Sequence, residues 1–352
     1  MSFLTFDNIA IKGISAVVPP KVINNKVYSK IFTEQEIENT IKTTGIAERR
    51  FAEDNVCSSD LCFQAAEKLI NEMSIDRKSI DVLIFLSQTP DYHQPATAPI
   101  LQHRLGLGKH CASFDINLAC SGYVYGLSTA FLYASQPSIN NVLFLVGETL
   151  SKIISSEDKA TSLLFGDGGT ATLIGKTDKF ISSYFSLNSD GSGSDVLKIS
   201  GGGYRKKSSP ETIEIITYDD GSKRSEEHLF MDGMEVFNFT MREVPKDIKA
   251  ILKFSEIPIE EIDYIVFHQA NKFMTDFFAK KLKYPIEKVP YSLQRFGNTS
   301  AVSIPLTIVS EMIDNIKNKK IVLSGYGGGL SWGSAIINTQ DIYISELGEY
   351  VE

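Results

Sequence analysis

From Ile116 to Gly147 the chain carries no charged residue. A stretch of that length either crosses a bilayer or lies enclosed in folded protein. Asn117, Ser121, Gly122, Gln136, Pro137, Ser138, Asn140 and Asn141 interrupt it, and polar residues so spread suit a protein interior better than a lipid-facing helix. The stretch therefore reads as two short buried elements, with no membrane span. At 352 residues, 43% hydrophobic and 22% charged, the chain can bury a full core without staples. Cys57, Cys62, Cys111 and Cys120 contain no Cys-x-x-Cys pair, which excludes a disulfide scaffold and argues against a zinc site. A formal charge of −8 argues against nucleic acid as the main partner. The first residues, Met1 to Asp7, show no basic leader or long apolar run, and with free cysteines this points to the cytoplasm.

Four short β-branched runs, Val82–Leu86, Val142–Val146, Ile262–Phe267 and Ile321–Ser324, read as buried strands. Helical patterns lie between them at Ser59–Met73, Ser121–Ala134, Lys272–Lys283 and Thr299–Ile316. This alternation predicts an α/β architecture. The pattern also repeats. In each half a strand and helix are followed by a second helix start, at Cys120 and at Asn298. The next strand, at Val142 or Ile321, then comes at nearly the same spacing. Two copies of one unit related by a pseudo-twofold would give this, with halves 1–176 and 177–352. Between them, residues 188–228 are rich in Gly, Ser and Asp and read as a polar surface excursion with a short hairpin at Thr212–Thr217.

Cys120 stands at a predicted helix start. A helix N-terminus favours the thiolate and offers free N–H groups for an oxyanion. His268 ends a strand, where α/β active sites form. Asn298, in Gly-Asn-Thr-Ser, precedes a helix. Taken singly, each also fits a structural role: an apolar buried cysteine, a satisfied histidine, a helix cap. The repeat makes Cys120 and Asn298 equivalent and brings His268 near the same crevice. A papain-like Cys-His-Asn site is disfavoured by chain order and flanking sequence. Gly325–Gly333 lacks the Gly-Lys-Ser/Thr ending of a phosphate loop and reads either as a tight turn with N–H groups facing a site or, equally on pattern alone, as a purely structural hairpin. Cys57, Cys62 and Cys111 read as structural. His93, His103, His110 and His228 read as loop or surface residues without metal-ligand spacing.

Together, Ala-Cys-Ser-Gly (119–122), Phe-Gly-Asp-Gly (165–168), Met231–Phe237, His-Gln-Ala-Asn (268–271), Gly-Asn-Thr-Ser (297–300) and Gly-Gly-Gly-Leu-Ser-Trp-Gly (327–333) resemble the β-ketoacyl-acyl carrier protein synthase III family. The resemblance spans the chain. It implies a thiolase-like five-layered αβαβα fold, a homodimer, a Cys120-His268-Asn298 triad and no metal or organic cofactor. A primer thioester would acylate Cys120. His268 and Asn298 would donate hydrogen bonds to the malonyl thioester carbonyl as carbon dioxide leaves. The N–H groups of Cys120 and Gly328 would hold the second oxyanion. Substrates would be malonyl-acyl carrier protein and a primer on coenzyme A or acyl carrier protein.

The chain also departs from the family. Family members clamp the adenine of coenzyme A between a Trp and an Arg before Thr-Gly-Ile. Here Thr44-Gly45-Ile46 follows Glu38–Thr43, the sole tryptophan is Trp332, and a further family Arg is Lys159. The residue before Pro95, at the partner's acyl pocket, is Gln94. Lys272, Lys280, Lys281 and Lys283 offer a positive patch for an acidic carrier protein. Alternatives are an acyltransferase that passes the acyl group on without decarboxylation, and a silent acyl-binding subunit. The intact Asn298 and Cys120 argue against them.

Overall fold

A computed structural model describes residues 2–28 and 31–352. Ten of the strands in two main sheets are β1 (Ser2–Asp7), β2 (Ile9–Val18), β3 (Ile80–Leu86), β4 (Ala112–Ile116), β5 (Asn141–Thr149), β6 (Asp167–Lys176), β7 (Ser182–Ser189), β8 (Tyr264–Phe267), β9 (Lys320–Gly327) and β10 (Ser331–Asn338), and two short C-terminal strands complete the first sheet. Five helices position the site: α1 (Ser58–Glu72), α2 (Gly122–Ala134), α3 (Gly233–Ser255), α4 (Lys272–Leu282) and α5 (Ser303–Glu311). The first sheet runs β2-β6-β5-β3-β4, and the second runs β1-β7-β10-β9-β8. In both, two antiparallel pairings are followed by a parallel one: β2/β6/β5/β3 in the first and β7/β10/β9/β8 in the second. The termini cross over. β1 pairs with β7 in the second sheet, while Tyr343–Ile344 and Gly348–Glu349 pair with β2 in the first.

Strand alternation produces the layers. Val82, Ile84, Leu86, Val142, Phe144 and Val146 face inward, joined by Val266, Ile321 and Leu323 of the other sheet, and α2 and α5 fill the space between. Leu83, Phe85, Leu143 and Leu145 face outward onto α1. Ile265, Phe267 and Val322 face outward onto α3 and α4. The result is helix, sheet, helices, sheet, helix. The uncharged stretch is thus explained: α2 lies between two sheets, where an unpaired charge would be costly. At Gly126 a Cβ would fall 2.3 Å from the Phe144 ring, so only glycine lets α2 settle this close. Among the described residues no helix is long and apolar enough to cross a membrane.

Two local expectations are corrected. The hairpin lies further along than Thr212–Thr217. Pro210–Ile213 is a helical turn capped by Ser209, and Ile216–Thr217 pairs with Lys223–Arg224 around Tyr218-Asp-Asp-Gly. Pro210 at a first helical position and the Ser209 cap outweigh the β-branched run. The helix expected over Thr299–Ile316 covers only Ser303–Glu311, after a 3-10 turn at Ser300–Val302. Ser300 has φ +52°, which delays the helix, and the backbone turns again at Asn315.

Candidate active site

Cys120, His268 and Asn298 line one cavity of about 220 Å³, walled by Phe165, Leu197, Met231, Phe237 and Met274 among others. They reach it from three elements. Cys120 sits just before α2, on the inner layer. His268 continues β8, its N–H donating to the Ser324 carbonyl at 2.8 Å. Asn298 is locked by backbone bonds to both sides of Phe165: its N–H donates to Leu164 O at 2.9 Å, and Gly166 N–H donates to its carbonyl at 3.0 Å. Beneath that bridge Arg49, fully buried, donates to Asn25 Oδ1 (2.8 Å), Ser162 O (2.6 Å) and Phe165 O (3.3 Å). Gly297, at φ +66°, lets the chain pass over the Arg49 stem.

The glycine segment closes the site from the second sheet. It is the hairpin between β9 and β10, with Gly327 opposite Ser331. A Cβ on Gly327 would lie 2.9 Å from the Cys120 Cβ, so glycine is required for this approach. Ser331 Oγ donates to Gly328 O at 2.9 Å and so accepts from Ser121 Oγ at 2.6 Å, tying the turn to the start of α2. Gly327 forms part of the cavity wall, while Gly328 packs toward Leu197 and Ala119.

The electrostatics differ from a helix-activated thiolate. Burial pushes the Cys120 thiol up to about 12, and the Glu148 charge adds to this; the Ser300 hydroxyl, donating to the sulfur at 3.3 Å, works the other way. Burial also pushes the His268 imidazole down to about 3. The resting pair is thus a neutral thiol and a neutral imidazole. Ser303 determines which imidazole nitrogen holds the proton. Its Oγ donates to Ser300 O at 2.7 Å, so toward His268 Nδ1, at 2.8 Å, it accepts. Nδ1 therefore carries the hydrogen and Nε2 keeps its lone pair. Asn298 is oriented too: its Oδ1 accepts from the Ser300 N–H at 2.9 Å, which leaves the NH₂ end as its donor.

Family models match two segments: one described as 3-oxoacyl-[acyl-carrier-protein (ACP)] synthase III over residues 114–191, and its C-terminal counterpart over 252–339. A β-ketoacyl-[acyl-carrier-protein] synthase III of Fusobacterium nucleatum is 35% identical, over 94% of this chain and 98% of its own. One from Clostridium acetobutylicum is also 35% identical, over 94% and 98%. The crystal structure of a 3-oxoacyl-(acyl-carrier protein) synthase from Burkholderia xenovorans LB400 superposes with TM-score 0.92 at 36% identity, covering 99% of each chain. The chain belongs to the 3-oxoacyl-[acyl-carrier-protein] synthase III family. Its fold is the thiolase-like αβαβα arrangement described above.

Other residues singled out in the synthase III sequence take varied places. Cys62 is buried against Gly147 and Gly169, Cys57 caps α1, and Cys111 is buried. His93 and His110 are exposed in loops and His103 is exposed on a helix, whereas His228 is half-buried against Ser225 Oγ at 2.8 Å. Trp332 packs edge-on to Phe239. Lys159 pairs with Glu36 at 3.3 Å, and Gln94 is exposed. On α4, Lys272 stands at the mouth and pairs with Asp276 at 2.6 Å; Lys280, Lys281 and Lys283 lie exposed toward the far end. The excursion is more than a surface loop. Its short strand at Leu197–Lys198 pairs with Phe230–Met231, and Leu197 and Met231 wall the cavity.

Sequence reading missed Gln88, Glu148, Ser300, Ser303 and Tyr326. Ser300 and Ser303 sit within or just past the Gly-Asn-Thr-Ser motif. Glu148 had a visible signal: it is the first charge after the uncharged stretch, still inside a strand pattern. Tyr326 lines the cavity and donates from Oη to the His268 carbonyl at 3.0 Å.

Proposed function

We propose that the chain performs the decarboxylating condensation of an acyl primer with malonyl-acyl carrier protein, giving 3-oxoacyl-acyl carrier protein and carbon dioxide. The observation that carries this reading is the convergence of Cys120, His268 and Asn298 on one apolar cavity, with Nε2 of His268 and the NH₂ of Asn298 left for substrate.

In the first half-reaction the Cys120 sulfur attacks the primer thioester carbon. Its proton passes to His268 Nε2 and then to the departing thiol, so one carbon–sulfur bond forms and another breaks. The high thiol and low imidazole values make a resting ion pair costly, so the proton moves as the bond forms. In the second half-reaction the malonyl carbon–carboxylate bond breaks and its electron pair becomes the enolate. The Asn298 NH₂ and a proton on His268 Nε2 hold the enolate oxygen. For this the imidazole takes its other tautomer: Nδ1 loses its hydrogen to water and accepts from the Ser303 hydroxyl, while Nε2 gains a hydrogen from water, the exchange taking place as the first thiol leaves and the cavity is open. The enolate carbon then attacks the acyl carbon, with the oxyanion held by the Cys120 and Gly328 N–H groups, and the cysteine sulfur leaves and is reprotonated. The dry cavity keeps water from protonating the enolate. None of these steps draws on a metal or an organic cofactor.

The primer comes as a thioester of coenzyme A or of acyl carrier protein, and the carrier docks on Lys272, Lys280 and Lys281. The chain works as a cytoplasmic homodimer of paired thiolase-like halves, 1–176 and 177–352. Leu132 and Tyr133 lie exposed on α2, and Tyr133 packs beside Phe114 of edge strand β4, a suitable surface for a second copy. The test is mass spectrometry after incubation with acyl thioesters, followed by malonyl-acyl carrier protein. An adduct on Cys120 and release of carbon dioxide are expected. An adduct without carbon dioxide would indicate simple acyl transfer, and no adduct a silent subunit; either result overturns the reading.

A further inference from the structure

Glu148 is the one group at this site with a full ionisable charge and no role in the chemistry above. It lies fully buried on β5, and among the described residues it has no cationic partner within ion-pair distance. Its carboxyl is gripped by one residue. Gln88 N–H lies 3.2 Å from Oε2, and Gln88 Nε2 donates to Oε1 at 2.9 Å. Thr89 Oγ1 adds a weaker contact at 3.4 Å. The second hydrogen of Gln88 Nε2 goes to Ser300 Oγ at 2.9 Å, and the single Ser300 hydroxyl hydrogen goes to the Cys120 sulfur at 3.3 Å. With Glu148 ionised, the Gln88 and Ser300 hydrogens in this series are each committed to one acceptor. A carboxyl is thereby connected to the sulfur through one amide and one hydroxyl.

We propose that Glu148, Gln88 and Ser300 form a positioning relay that sets the charge state of the Cys120 sulfur, Ser300 favouring the thiolate and ionised Glu148 opposing it. The opposition is electrostatic: a buried negative charge disfavours a second one nearby. The two arms work at different pH. Burial pushes the Glu148 carboxyl up to about 8, so it is mostly neutral at pH 7 and ionises just above. Below that value only the Ser300 arm acts on the sulfur; above it the brake is applied. The other groups facing Glu148 are Asp167 on β6, pushed up to about 6 by burial and held by Ser151 and Ala52, the neutral Cys62 thiol of α1, and Cys120 itself. Burial raises both carboxyls, Glu148 the more, so Asp167 takes its charge first and that charge further opposes the ionisation of Glu148.

The inference concerns sulfur reactivity, so its test needs no acyl substrate and stands apart from the condensation reading. Alkylation by iodoacetamide is followed by mass mapping of the Cys120 peptide across pH, for wild type, Glu148→Gln, Gln88→Ala and Ser300→Ala. In wild type the rate should rise less than tenfold per pH unit above about 8, because two coupled groups titrate. Glu148→Gln should restore the single-group slope and alkylate about threefold to tenfold faster at alkaline pH, the factor given by a thiol shift of half to one unit. Ser300→Ala should alkylate slower by a similar factor, and Gln88→Ala, which removes the side-chain amide that favours ionised Glu148, should move the break in slope to higher pH. A merely structural role would slow or speed all variants together without changing the slope. An unchanged profile in Glu148→Gln, or a slower one, overturns the relay. Infrared difference spectra of alkylated minus free wild type give an independent check in the native chain: a change in a protonated carboxyl stretch is expected, and its absence overturns the coupling even if Glu148→Gln does not fold.

Discussion

The floor and the roof of the cavity are built in opposite ways. The floor places Cys120, His268 and Asn298 on backbone held by sheet ladders and by the bridge over Arg49, between two layers of apolar side chains. The roof is a polar tract in which a two-residue strand pair brings Leu197 and Met231 over the sulfur. Precision lies in the floor, where the three candidate catalytic side chains are fixed by backbone hydrogen bonds and buried packing. Water exclusion lies in the roof, where few side chains suffice and the rest stays solvated.

The sharpest way to break this division is Asn298→Ala. It should leave primer loading intact and lower condensation by about a hundredfold or more, the usual loss for one oxyanion donor, read as acyl-enzyme formation against carbon dioxide release. Equal loss of both steps would mean the floor acts as a whole. Ser303→Ala should come next. It removes the hydroxyl that turns between Ser300 O and His268 Nδ1, so condensation should fall about tenfold to a hundredfold, in the range of a general acid–base contribution, with loading less affected. The ¹⁵N shifts of His268 should move between tautomers in wild type and lose that response in the variant. In the roof, Leu197→Ala should cost only about threefold to tenfold in condensation while raising hydrolysis of the acyl-enzyme, since it admits water without touching the donors. Lys280→Glu with Lys281→Glu should raise KM for malonyl-acyl carrier protein several-fold and leave kcat unchanged, and the difference from wild type should shrink as salt rises.

The floor also predicts a stability trend. The folded imidazole of His268 lies near 3 and its ordinary value is 6.5. The unfolded chain therefore binds the extra proton first, so stability should fall as pH drops through 6.5 toward 3. His268→Gln should show a shallower acid decline in thermal midpoint, the smallest of these effects.

Legibility in the sequence followed the same division. The strands at 82–86, 142–146 and 321–324 and the convergence of the triad were readable, because buried strands show as β-branched runs and the site residues sit in distinctive short motifs. Four strands of each sheet share one pairing order, β2/β6/β5/β3 and β7/β10/β9/β8, which matches the spacing read from the sequence. The roof was not readable: Leu197 is one apolar residue in a tract of Gly, Ser and Asp, and its position depends on pairing with Phe230–Met231 far along the chain. The groups that tune the floor were missed for another reason. Gln88, Glu148, Ser300 and Ser303 belong to three separate segments, and each is an ordinary residue until hydrogen-bond direction gives it meaning. The thiol was expected to be acidified at a helix start, but the structure buries it so fully that desolvation prevails.

The crossing of the termini has a mechanical consequence. Because β1 is stitched into the second sheet and the last strands are stitched into the first, the N-terminal end joins the sheet built mostly from later residues and the C-terminal end joins the sheet built from earlier ones. The two sheets cannot swing apart like jaws without unzipping an edge. The cover over Leu197 and Met231, held by a two-residue strand pair, is the lightly fastened wall of the cavity, whereas the sulfur, imidazole and carboxamide hang from backbone that both ends of the polypeptide clamp.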